Sequence, residues 1–92
     1  MSAPSIFQQA VQLHKSRQLD KAIELYYAHL ETGADPAAEH YLGLALVQSR
    51  QVEAGLRHLR NAAAAEPENT LFLTNLSKAL LQSSHKEDAR TA

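Results

Sequence analysis

Small residues recur along this chain at one fixed spacing. Ala10, Gly43 and Ser77 stand 33 and then 34 residues apart, and Ala22, Gly55 and Ala89 repeat the same two separations. Leu13, Leu46 and Leu80 keep that offset too, and the segments LDKAIEL, VEAGLRHL and KEDAR align on the second small set. One matching column arises readily by chance, whereas several columns sharing one offset in a short chain do not. A period of this length marks a repeated supersecondary unit that buries its apolar face against the next copy.

Start and stop signals predict helices inside each unit. A first helix covers roughly residues 4–16, with Pro4 in its first turn and Ile6, Ala10 and Leu13 at helical spacing. A second runs from Leu19 through Ala22, Ile23, Tyr26 and Leu30 and stops at Gly33. Asp35 is suited to cap a third, with Pro36 at its first position. Val52 to Ala65 forms a fourth, EPEN breaks the chain, and Asn69 or Thr70 caps a fifth containing Leu73, Leu76, Ala79 and Leu80. A sixth is expected from near His85 to Ala92. Short connections make neighbouring helices antiparallel hairpins. Gly43 and Gly55 fall inside the third and fourth helices, where each glycine costs about 1 kcal/mol relative to alanine. Close approach of the two helices explains both, since a leucine there would overpack by roughly 1–3 kcal/mol.

Composition narrows the function classes. Ninety-two residues, 45% apolar but only 5% aromatic, make one small helical domain. A net charge of −1 argues against nucleic-acid binding, which needs excess Lys and Arg to displace counterions. Apolar runs are far too short for a membrane span, and MSAPSIFQQAVQ has neither the basic start nor the apolar stretch of a signal peptide, so a cytoplasmic location is expected. The chain has no cysteine, hence no disulfide, thiol catalysis or thiolate metal site. No nucleophile–base–orienter set, phosphate loop or carboxylate pair appears, so neither catalysis nor a cofactor is expected. His14, His29, His40, His58 and His85 contain no pair three or four residues apart, the spacing a helical metal site uses. His14 and His40 could still meet across neighbouring helices, although two ordinary polar residues is the better account. Arg57 and Arg60 with His58 form a small basic cluster that reads as a solvated face beside Glu53 and Glu66. Tyr26 and Tyr27 could stack on a ligand.

These residues resemble the tetratricopeptide repeat, a helix–turn–helix unit of about 34 residues with the pattern W-x-x-L-G-x-x-Y, then A-x-x-x-F, then P. The middle unit, 36–69, carries Leu42, Gly43 and Leu46, then Gly55 and Leu59, then Pro67; the unit at 3–35 keeps Ile6, Ala10, Leu13, Ala22 and Tyr26. It departs at Gln9 and His29 and displaces its proline to Pro36. A partial third unit, 70–92, keeps Leu73, Leu76, Leu80 and Ala89, as a first helix plus a truncated second. Tryptophan is absent throughout. The resemblance implies an all-α fold of tandem antiparallel hairpins stacked as a short right-handed α-solenoid, and a concave groove lined by the first helix of each unit. By position those residues are Phe7, Val11 and His14, then His40, Leu44 and Val47, then Thr74, Lys78 and Leu81. Family members that grip a terminal carboxylate use Lys, Asn and Arg here. Only Lys78 is of that type, so a mostly apolar groove for an amphipathic or apolar peptide is implied.

The fifth helix is apolar at Leu71, Phe72, Leu73, Leu76, Leu80 and Leu81, more than one face's worth, and the expected sixth is too short to cover it. Self-association through Leu71, Phe72 and Leu81, giving a homodimer, is therefore expected. The function expected is a protein-interaction or assembly scaffold. The alternative is a docking or regulatory segment of a larger transferase, because such repeats often precede transferase domains in bacterial proteins.

Overall fold

The computed structural model describes residues 4–91, with side chains up to residue 84, and is helical throughout. Five helices follow one another: α1 (Ile6–Lys15), α2 (Leu19–Glu31), α3 (Pro36–Gln48), α4 (Val52–Ala65) and α5 (Thr70–Thr91). None is long and apolar enough to cross a membrane among the described residues.

Side-chain caps set the helix starts. The Ser5 hydroxyl accepts from the Gln8 amide at 3.1 Å while the Gln8 side chain accepts from the Ser5 amide at 3.0 Å, a reciprocal capping box. That box starts α1 at Ile6 and leaves Pro4 outside, one correction to the predicted boundary. Asp35 caps α3 with Pro36 at its first position, as expected. Asn69 accepts from the Phe72 amide at 3.1 Å and opens α5.

The stops of α1 and α3 are copies of each other. Arg17 and Arg50 adopt positive φ, 68° and 75°. Around each, the backbone makes the paired bonds of a Schellman turn: Arg17 N–H to His14 O and Gln18 N–H to Leu13 O, then Arg50 N–H to Val47 O and Gln51 N–H to Leu46 O. Ser16 and Ser49 hydroxyls return to the Leu13 and Leu46 carbonyls, and the Gln18 and Gln51 amides donate to those hydroxyls. The same tripeptide, Ser-Arg-Gln, thus builds the same turn twice.

Among the described residues there is no separate sixth helix. Helical backbone continues through residues 85–91 as part of a 22-residue α5. The physical reason is local: after Pro67 the chain contains neither glycine nor proline, so nothing interrupts the helix. The expected small-residue match at Ala89 and the side chain of His85 lie outside the described side chains.

Each helix packs on the next, and α3 also touches α1 and α5, so α3 meets every other helix. One core cluster joins α1, α2 and α3 through Ala10, Ala22, Ile23, Tyr26, Leu42, Ala45 and Leu46; a second joins α4 and α5 through Leu56, Leu59 and Ala79. Gly43 and Gly55 form the α3–α4 contact. A Cβ on Gly43 would sit 2.9 Å from the Gly55 carbonyl oxygen and 2.7 Å from Leu59 Cγ. A Cβ on Gly55 would sit 2.8 Å from the Gly43 carbonyl oxygen and 2.6 Å from Val47 Cγ2. The helices approach backbone to backbone, which accounts for both glycines.

Candidate docking surface

The nine residues expected to line one groove do not share one environment; His14, half-buried, is bonded to Tyr26 and Gln48. Phe7 and Val11 are half-buried against the α1–α2–α3 core, with the Phe7 ring 6.1 Å from Tyr26, 5.8 Å from Tyr41 and 5.2 Å from His29 between centroids. Leu44 and Val47 pack instead on the cluster of Leu56, Leu59 and Ala79. His40 is 1% exposed, so it is a core residue rather than part of an open groove. Burial corrects the expectation for His40, and the cause is packing: α3 meets every other helix, while Leu44 and Val47 stay half-buried against α4 and α5.

Only Thr74, Lys78 and Leu81 of the predicted set are open. With Leu73 and Ser77 they line a shallow depression of about 380 Å³ on α5. The five residues recur three and four apart and so form one helical stripe. Leu81 is 60% exposed at its end, and Leu71, at 54%, stands on the same helix. Phe72, expected on this sticky surface, is 5% exposed and stacks on His40 at 4.6 Å, so it serves internal packing. Leu73 and Ser77 were absent from the predicted lining, although their spacing from Leu81 and Lys78 carries the signal.

The four histidines with described side chains, His14, His29, His40 and His58, are structural links. His14 Nε2 faces the Gln48 side-chain oxygen at 2.9 Å, so in the neutral ring Nε2 bears the proton and donates to it. Nδ1 then accepts from the Tyr26 hydroxyl, also at 2.9 Å. Burial, with Tyr41 nearby, pushes the Tyr26 phenol up to about 12, so it stays a protonated donor. His40 Nε2 accepts from the Asn75 amide at 2.9 Å, tying α3 to α5. His58 Nδ1 meets Glu39 at 2.6 Å and His29 Nε2 meets Asp35 at 2.8 Å. His14 and His40 are thus engaged with different partners, not with each other.

This chain matches no protein-family model, no curated protein and no solved structure. The α5 stripe offers two leucines, a threonine, a serine and one lysine: open apolar area with one positive charge beside it.

Proposed function

We propose that this chain is a protein-interaction or assembly module of the tetratricopeptide type, and that its contact surface is the outward face of α5, through which it pairs with a second copy. The observation carrying this reading is the row of Leu73 and Leu81, exposed on a helix whose opposite side is already packed. Fully burying an exposed leucine is worth about 1.5–3 kcal/mol, so covering the open parts of Leu73 and Leu81 on two facing copies contributes a driving force for association. The repeated Ser-Arg-Gln turn and the glycine contact between α3 and α4 support the hairpin-repeat part of the reading.

Light scattering across a tenfold concentration range tests it. The expected result is a mass rising toward that of a dimer for the wild type and constant at the monomer value for Leu81→Glu. Leu81 lies outside the core, so this substitution acts on association rather than folding. A wild type that stays monomeric throughout would overturn the self-pairing.

A further inference from the structure

Another cleft, of about 630 Å³, opens between α4 and α5. On α4 its wall is Glu53, Leu56, Arg57, Arg60 and Asn61, a continuous stripe at helical spacing. On α5 the wall is Leu80, Ser83 and Ser84. The basic cluster noticed in the sequence is divided by the fold: His58 turns inward to Glu39, whereas Arg57 and Arg60 face α5 across this cleft.

Two features give the cleft a chemical preference. Among the described residues neither arginine is in an ion pair, even though Glu53 stands one helical turn before Arg57, and the Asn61 and Ser83 side chains make no hydrogen bond. Arg57, Arg60 and Asn61 on one wall and Ser83 on the other thus present donor groups that no described side chain takes up. Leu56 and Leu80 provide apolar area beside them, with Leu56 belonging to the core and Leu80 partly open. Guanidinium groups bind carboxylates through paired, charge-assisted hydrogen bonds, and nearby apolar area lets an adjoining side chain be buried.

We propose that the cleft between α4 and α5 is a docking groove for an acidic peptide segment of a partner protein. Arg57 and Arg60 hold its carboxylates, Asn61 and Ser83 add hydrogen bonds, and Leu56 with Leu80 seats an apolar side chain between the acidic ones. Glu53 closes one end against a longer run of negative charge. The groove uses a different stripe of α5 from the Leu73 and Leu81 face, so it stands independently of self-pairing.

Fluorescence anisotropy with the labelled, end-blocked peptide EELEEL on the full chain provides the test. The wild type binds EELEEL and does not bind QQLQQL. Replacing both arginines, Arg57→Gln with Arg60→Gln, weakens binding by about tenfold or more. Both side chains are exposed, so an unchanged thermal melt is expected for that variant. Ser84→Glu, on the opposite wall, puts a negative charge in the groove and weakens binding as well. Lys78→Gln and Leu81→Glu, which change the other face, leave it intact. Equal binding of QQLQQL, undiminished binding by the double glutamine variant, or a loss with Lys78→Gln as large as with the arginine pair would overturn the proposal. So would displacement of the peptide by single-stranded oligothymidylate at equal charge, which would reveal unselective attraction to polyanions.

Discussion

At the scale of single residues, one buried side chain is both a link and a liability. His40 Nε2 accepts from Asn75, so in the neutral ring the proton sits on Nδ1, which has no partner among the described residues. An unmet buried donor costs about 1–3 kcal/mol, here beside an aromatic stack on Phe72 and an edge contact to Tyr41. Burial holds the imidazole below its ordinary value near 6.5, because charging it would mean desolvating the cation. The unfolded chain therefore takes up this proton before the native one does, and native stability falls as pH drops through the unfolded value. The melting temperature is expected to fall from about pH 7 to about pH 5, and to fall less in His40→Leu. Leucine has similar volume and no titrating group, and Asn75, half-buried, can turn to water. An equal fall in both proteins would show that another group carries the acid sensitivity. Asp35 acts in the same direction at lower pH. The hydrogen bond from His29 to one oxygen, and the α3 amides on the other, hold its carboxyl below the usual range.

At the scale of elements, the two Schellman turns show how a sequence signal can be present yet hidden. Glycine is the usual residue at the positive-φ position after a helix, and an arginine there carries a steric cost of about 1–2 kcal/mol. Arg17→Gly relieves that strain and adds unfolded-state entropy, for a net gain of roughly 0.5–1 kcal/mol in a urea denaturation. A loss of stability would mean that the arginine side chain contributes more than its backbone costs. The glycine at 33 was legible as a stop because its residue type announces it, whereas Ser16-Arg17-Gln18 and Ser49-Arg50-Gln51 announce themselves only by repetition. The Asp35 cap, the Asn69 cap and the apolar spacing of α2 and α4 were equally local and equally legible. The end of α5 was not: start signals suggested a new helix near residue 85, where Ser84 stands three residues before Glu87, but no glycine or proline ends the preceding helix and α5 runs on. The open stripe of α5 was half legible. Thr74, Lys78 and Leu81 follow from position in the repeat resemblance, but the burial of Phe72 and the half-burial of Leu44 and Val47 depend on how closely α3 is approached from both sides, and sequence spacing does not encode that.

At the scale of the whole molecule, α3 is the hub. It meets α1, α2, α4 and α5, and it crosses α4 backbone to backbone at Gly43 and Gly55. A methyl group on Gly43 improves helix propensity by about 1 kcal/mol. It also lies 2.9 Å from a backbone oxygen that cannot rotate away, and 2.7 Å from a leucine that is itself fully buried. The crossing must therefore open by several tenths of an ångström, on the order of the overpacking that costs about 1–3 kcal/mol net. Because α3 joins both core clusters, that strain does not stay local. Gly43→Ala is expected to lower global stability by this amount in chemical denaturation, and native-state amide exchange is expected to accelerate in the slowest protons of α2 and α4 together with those of α3. Faster exchange confined to α3 and α4, with α2 unchanged, would mean that the two clusters unfold as separate units and that the hub does not couple them.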